Sequence, residues 1–410
     1  MLHQVVHSNP TNPTKKGGLT VTICSSEPGN LVCVSDVDGT LYLPDQTDYQ
    51  TACARRVRDF IDDHGTFAVA TAQTVEMCLS EASYNASRDR GFARPQPLLR
   101  KDPDGLRSYV APESIPSRIP FTDPTMVMSM GTSSYLRHAD GYYATIADEE
   151  EERRQNWRPA VLKMLAMMSE AGQGNLIDHL ASIEHEDNYW QRKTDVYPLE
   201  GRIQLEFKDE HQKNRAKWQV MAFLRQLEYI ARWDSESLAS MRDEVLNDYS
   251  AVLRNIRIVD ESKPDLGKFQ FYITLRDETK ERMVDKGLKY LSADDSIDDL
   301  LIFGDQLPDL RAGCYAGDAC RSAFLLVTGS PLAPYLRPGT NYYGSAYAGE
   351  DISWIRKRMV SSEKPGYFSF KAPGRRVREI VIGDVAYPGL PGPESIAAYL
   401  ADRYDSFLDY

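Results

Sequence analysis

The sequence contains no Cys-x-x-Cys pair, and its six cysteines (Cys24, Cys33, Cys53, Cys78, Cys314 and Cys320) form no cluster with zinc-ligand spacing. A cysteine-built metal site is therefore excluded. Several of these cysteines lie in apolar runs, and they are expected as buried free thiols in a reducing compartment. No run of about 18 apolar residues occurs, so no membrane span is expected. The opening stretch, MLHQVVHSNPTNPTKKGG, lacks the apolar centre of a signal peptide, and the cytoplasm is the expected location. Positive charge is also in deficit. A net charge of -12 argues against non-specific attraction to nucleic acid or to an anionic membrane. A phosphate ligand would then need a local cation. His185, in Glu184-His185-Glu186-Asp187, stands outside any HExxH pattern, which excludes a metalloprotease helix.

What is present is an ordinary globular composition. Hydrophobic residues make up 42% and charged residues 26%, enough for a sizeable core, and 410 residues suit two or three units. Residues 1–27 are rich in Asn, Pro, Thr, Ser and Gly and read as a flexible tail. Leu31 to Ser35 reads as a strand, Thr51 to His64 as a helix and Phe67 to Ala70 as a second strand ending at Thr71. Strand, helix, strand at this spacing predicts a βαβ unit and a parallel sheet. Thr125 to Met130 predicts another strand, and Tyr142 to Ala144 one arm of a hairpin. From Glu149 onward the character changes. Trp157, Val161, Met164, Leu165 and Met168 recur at helical spacing, as the core face of a helix. A strand is expected at Gln204 to Phe207, a long amphipathic helix through Val220 to Ala231 and a strand at Phe269 to Thr274. Then follow a helix at Lys280 to Leu291, strands at Leu300 to Phe303 and Ala323 to Val327, one strand at Glu379 to Ile382 and a final helix near Glu394 to Leu408.

Two of these strands end in carboxylates, as Asp36-Val37-Asp38-Gly39-Thr40 and Gly304-Asp305-Gln306-Leu307-Pro308-Asp309. Ligands of open parallel sheets sit outside the carboxyl ends of the strands. If the two strands are neighbours, four carboxylates converge there and repel one another. A hard divalent cation with oxygen ligands resolves that repulsion, and Mg²⁺ suits a site that must also take a phosphate. A lone Asp-Gly after a strand is a common turn and means little by itself. A calcium loop needs its glycine at the sixth place, and here it is fourth. The signal lies in co-occurrence, in one order, of a strand ending DxDGT, a strand ending in Thr71, Lys286-Gly287 and a strand ending GDxxxD.

That order resembles the haloacid dehalogenase superfamily of phosphatases. The likeness covers the strand-end motifs of roughly residues 28–80 and 284–312. It implies a Rossmann-like α/β core with Asp36 as nucleophile and first metal ligand. Asp38 is implied as general acid/base, with its backbone carbonyl at the metal. Thr71 is implied as the hydroxyl that binds the phosphoryl group, and Lys286 as the lysine that neutralises it. Asp305 and Asp309 are implied as the further carboxylates of an Mg²⁺ site. Lys280 and Lys289 are the other candidates for the lysine; Lys286 is preferred because Gly287 follows it as at a helix start. An acidic residue two after the nucleophile marks the phosphatases of this superfamily rather than its ATPases. Thr71 is followed by Ala72-Gln73, where close relatives have Gly-Arg, and Gln306-Leu307-Pro308 replaces small and amide residues.

Only 35 positions separate Asp36 from Thr71, while 215 separate Thr71 from Lys286. An inserted domain must occupy the second gap. The expected units are the tail at 1–27, a first core segment at 28–150, a cap at 151–271 and a second core segment with a C-terminal extension at 272–410. This arrangement resembles the subgroup with an α/β (C2-type) cap, to which sucrose-phosphatase-like and other sugar-phosphate phosphatases belong. The expected activity is hydrolysis of a small phosphomonoester, with a sugar phosphate favoured. The alternatives are an isoprenoid or other specialised-metabolite phosphate, a phosphomutase, and a catalytically silent binding protein. In the cap, Glu184 to Asp187, Lys193, Lys208 and Lys213 are polar enough to select a substrate, although a solvated face is the plainer reading.

Overall fold

In the computed structural model of the chain, the described residues are 29–43, 45–71, 99–101, 107–110, 124–129, 134–137, 142–146, 160–165, 202–232, 239–249, 255–260, 269–276, 279–291, 297–318, 320–336 and 350–410, with Cys78, Trp157, Glu236, Leu253 and Gly267 between them. The chain starts its core with β1 (Leu31–Ser35), α1 (Asp48–His64) and β2 (Gly65–Thr71). Every residue of β1 is buried, as expected of a parallel strand covered on both faces. A capping box opens α1: the Thr47 hydroxyl accepts from the Gln50 amide, and the Gln50 side chain accepts from the Thr47 amide.

Five strands follow in the first half: β3 (Leu99–Lys101), β4 (Arg107–Val110), β5 (Met126–Ser129), β6 (Ser134–Arg137) and β7 (Tyr142–Thr145). Next come β8 (Arg202–Phe207), α2 (Glu210–Ala231), α3 (Ala239–Tyr249), β9 (Ile256–Asp260) and β10 (Phe269–Leu275). The chain continues with α4 (Lys280–Leu291), β11 (Asp299–Gly304), α5 (Leu307–Tyr315) and β12 (Arg321–Leu326). The C-terminal stretch holds the short α6 (Ala333–Leu336) and α7 (Glu350–Arg356), then β13 (Met359–Ser361), β14 (Tyr367–Lys371) and β15 (Val377–Ile382). It closes with α8 (Gly383–Ala386), α9 (Pro393–Arg403) and a 3₁₀ turn at Asp405–Asp409.

Twelve strands form one sheet in the order β13-β14-β15-β12-β11-β1-β2-β5-β6-β7-β4-β3. The six from β15 to β5 run parallel, and antiparallel strands extend both flanks. The fold class is thus the α/β architecture with a mainly parallel sheet that the sequence led us to expect. Residues alternate between two cores. Val32, Val34, Ala68 and Ala70 face Met283 and Val284 of α4 and Leu310 of α5. Leu31, Cys33, Phe67 and Val69 face Val57 and Phe60 of α1 and Ile396 and Leu400 of α9. The five described cysteines form no disulfide, and all but Cys53 are buried.

Strands β8, β10 and β9 form a separate antiparallel sheet with its own core, in which Ile203, Leu205, Phe271 and Ile273 meet Val220 and Leu227 of α2. Trp157, Val161, Met164 and Leu165 join that core, as the helical stripe implies; Met168 lies outside the described residues. Strand β10 is paired within this sheet from Phe269 to Leu275, so the boundary expected at 271 falls inside a strand. The C-terminal region holds three strands rather than one. Pairing of β14 with β15 on one side and β13 on the other extends the main sheet. Among the described residues no helix is long and apolar enough to cross a membrane.

Candidate active site

The strand order places β1 between β11 and β2, so the ends of the three strands that carry chemistry are neighbours. Asp36 is the first residue past β1, and its amide donates to the carbonyl of Phe303 in β11 at 2.9 Å. The chain then turns sharply. The carbonyl of Val37 accepts from the amides of Leu41 and Tyr42, at 3.0 and 2.8 Å. Gly39 sits in this turn at φ +78°, where a side chain is strained, and a Cβ there would lie 2.5 Å from Oδ2 of Asp305. The turn therefore brings the Asp36 loop hard against the second carboxylate. Asp305 follows β11, and Asp309 lies in the first turn of α5. There one oxygen of Asp309 accepts from the Gln306 amide at 3.1 Å, which fixes the carboxylate at the helix start.

Asp36, Asp305 and Asp309 are all buried, and each offers an oxygen within 4.8 Å of the others. The structure thus joins three of the four sequence-nominated carboxylates by their side chains. Asp38 is half-buried in the same turn, bridged to Tyr42. Thr71 is buried at the end of β2, paired in register with Ser129 of β5.

The lysine at this cluster is Lys280. Its ammonium donates to Oδ1 of Asp36 at 2.6 Å and also bonds Oδ1 of Asp309. The hydrogen bonds to the cluster come from Lys280, the rival named from sequence, where Lys286 was expected. A helix that leads into a parallel strand runs antiparallel to it, so the first residue of α4 lies at the carboxyl edge of the sheet. Lys286 is six residues on, roughly 9 Å further along the axis and about 240° round the helix. It is half-buried, and burial followed by the nearby Lys289 charge pulls its pKa down. Gly287 is no helix start. It lies mid-helix, where a Cβ would come 2.4 Å from the sulfur of Met128, and it lets α4 pack closely on β5. The bounds of the helix were legible in the sequence, and its N-terminal residue was the usable signal for Lys280.

One ammonium shared among three carboxylates leaves the site negative in a dry setting. Burial, then the charges of Asp36 and Asp309, push the Asp305 carboxyl up to about 8. Burial raises Asp309 to about 6, held back by Lys280. Burial alone would lower the Lys280 ammonium, but Asp309 and Asp36 overcome it and hold the group above its ordinary value. We take Lys280 as charged and the cluster as short of positive charge. Oδ1 of Asp305 is buried with no hydrogen-bond partner. A carboxylate oxygen seldom stays so without a ligand. The donor set is three carboxylates, all hard oxygen ligands, and it fits a cation such as Mg²⁺ or Ca²⁺.

In the second unit Lys213 is no solvated lysine: it is buried and pairs with Asp260, 3.0 Å from Oδ1. Lys208 is exposed, and Lys193 and residues 184–187 lie outside the described residues.

No model of a protein family matches the sequence, and no curated protein matches it. Solved structures are similar at low identity. One is a haloacid dehalogenase-like hydrolase of Bacillus subtilis, at 13% identity over 75% of this chain and 86% of that one, with a TM-score of 0.37. Another is the sucrose-phosphatase of Synechocystis in complex with sucrose and phosphate, at 11% over 91% and 98%, with a TM-score of 0.37. A third is a haloacid dehalogenase-like hydrolase of Bacteroides thetaiotaomicron, at 8% over 72% and 88%, with a TM-score of 0.35. Likeness at this level bears on neither substrate nor mechanism, which rest on the residues at the sheet edge.

Proposed function

We propose that the protein is a phosphohydrolase that transfers the phosphoryl group of a small phosphomonoester to Asp36 and then to water. The observation that carries this reading is the buried set of Asp36, Asp305 and Asp309 with Lys280 at the carboxyl edge of the parallel sheet. Asp36, Asp305 and Asp309, with the backbone carbonyl of Asp38, would hold Mg²⁺. Bound there, the cation would offset charge on the transferring oxygens.

The chain's own groups supply the remainder. A carboxylate of Asp36 attacks phosphorus, and the bond to the leaving oxygen breaks. Asp38 gives its proton to that oxygen, so an alcohol departs. Asp38 then takes a proton from water, which attacks the aspartyl-phosphate; orthophosphate leaves and Asp36 is restored. Lys280 holds Asp36 in place and sets a positive charge beside the incoming phosphoryl group. Thr71, at the end of the neighbouring strand, offers a hydroxyl to a phosphoryl oxygen. Lys286 has no role in this scheme. A sugar phosphate is the substrate class implied by the resemblance to the C2-capped subgroup, with the unit built on the second sheet as the cap and the cytoplasm as the setting.

The test is a screen of phosphorylated metabolites for orthophosphate release with Mg²⁺ and with excess chelator. Release is expected with Mg²⁺, lost on chelation and regained when Mg²⁺ is restored. Full turnover in chelator contradicts the metal assignment, and no release from any phosphomonoester contradicts the activity.

A further inference from the structure

The C-terminal region has no counterpart among the motifs that placed the site, yet it reaches the site from two sides. Its first foothold is the loop after β12. The Gly329 amide donates to Oδ1 of Asp384 at 3.0 Å. The Thr328 hydroxyl, itself buried, donates to the carbonyl of Tyr387 at 3.1 Å. Ser395 is fully buried in the first turn of α9. Its hydroxyl donates to the carbonyl of Gly392 at 2.8 Å and accepts from the Thr328 amide at 3.4 Å. A parallel bridge joins Thr328 to Pro391. The second foothold is the loop after β1. Gly392, at φ +55°, lies so close that a Cβ would stand 3.0 Å from the carbonyl of Thr40 and 3.0 Å from Leu43.

The braced loop bears directly on the site. Ser330, buried, donates its hydroxyl to the carbonyl of Asp305 and accepts from the Leu332 amide at 3.0 Å. A hydroxyl on that carbonyl fixes the Asp305 peptide. The direction of the Asp305 side chain, with its unpartnered buried oxygen, follows from it. The hydrogen bonds run from Asp384, Tyr387 and Ser395 to Thr328 and Gly329, and the next residue, Ser330, carries them on to Asp305.

We propose that residues 383–395 are a positioning brace for the metal-binding carboxylate: they hold Thr328 to Ser330, and Ser330 sets Asp305. Ser330, Asp384 and Ser395 are positioning residues and touch no reacting atom. The proposal rests on the reading of Asp305 as a metal ligand. It predicts that loss of a brace contact weakens cation binding in a protein that remains folded, because partners behind a ligand contribute about 10–100-fold to metal affinity.

The test is calorimetric titration of the full-length, metal-free protein with Mg²⁺, with no substrate present. Ser330→Ala and Asp384→Ala are each expected to weaken Mg²⁺ binding by about tenfold. Ser330→Thr, which keeps the hydroxyl, is expected to restore most of it. Phe407→Leu serves as a control, because Phe407 packs on Phe60, outside this hydrogen-bond series. It is expected to lower the melting temperature and leave Mg²⁺ affinity unchanged. Unchanged affinity in both Ser330→Ala and Asp384→Ala overturns the brace, as does an equal loss in Phe407→Leu. Failure of the underlying reading looks different: Asp305→Asn would then bind Mg²⁺ as tightly as the unmodified protein.

Discussion

Lys280 is the residue on which the site turns. Its ammonium bonds two of the three buried carboxylates, Asp36 and Asp309. Lys280→Met leaves those charges uncompensated, which in buried pairs costs about 3–5 kcal/mol. The variant is expected to lose turnover and to unfold at lower urea, with Mg²⁺ recovering some of the stability. Lys286→Met is expected to keep most of both. If Lys286→Met is the inactive one, the assignment is reversed. Asp305 gives a second residue-level expectation. Its folded pKa of about 8 lies above the ordinary 3.8, so the folded state holds the proton more tightly. That contribution is complete at low pH and is lost as pH rises towards and through about 8. Metal-free protein should therefore lose stability over this window, and Mg²⁺, which displaces the proton, should stabilise more at the upper end. Melting curves with and without Mg²⁺ check this; a gap that narrows as pH rises contradicts it. Asp36, Asp305 and Asp309, which the structure gathers, were legible from the two apolar strands that lead into their motifs. Lys280 was a named rival and lost to Lys286, because Lys286-Gly287 was read as a helix start. What decides between them is helix direction and angular phase, which local sequence does not display.

At the scale of elements, the termini of helices and strands do the placing. α4 delivers Lys280 from its first residue, and α5 delivers Asp309 from its first turn. The final helix α9 is tied to the sheet by a buried charge network. Arg403 bonds Oδ1 of Asp299 at 3.1 Å and Glu379 at 3.0 Å, and Arg321 bonds the other oxygen of Asp299 at 2.7 Å. Removing one partner of such a network strands the others, so Arg403→Met is expected to cost about 3–5 kcal/mol in urea unfolding. Lys364→Met, which breaks an exposed pair with Asp402, is expected to cost less than about 1 kcal/mol. Equal effects would mean that the buried network does not anchor α9. The strands of the parallel core and the helices α1, α2, α4 and α9 were visible in sequence from their apolar runs and helical stripes, whereas β3, β4, β9, α3 and α5 were not, and neither were β13 and β14. In β14 both Tyr367 and Phe368 are buried, on opposite sides of the sheet, so neither alternation nor a long apolar run marks it.

At the scale of the whole molecule, a mainly parallel sheet extended by the C-terminal region and a separate antiparallel sheet divide the described chain. The inserted unit was inferred from a gap too long for a loop, and β10 runs across the end expected for it at residue 271. The C-terminal extension was legible only as chain left over, since its role depends on contacts with Thr40 and Thr328 far away in sequence. All of this serves one chemical claim, that Asp36 accepts a phosphoryl group. The direct measurement is rapid-quench labelling with a phosphomonoester carrying labelled phosphorus, followed by peptide mapping. Asp38→Asn should make the labelled species accumulate with a good leaving group such as p-nitrophenolate, because hydrolysis then lacks its base; such assistance is worth about 10²–10⁴-fold. The expected result is label on the peptide bearing Asp36 and none in Asp36→Asn. Label on any other residue, or substantial turnover by Asp36→Asn, contradicts the account.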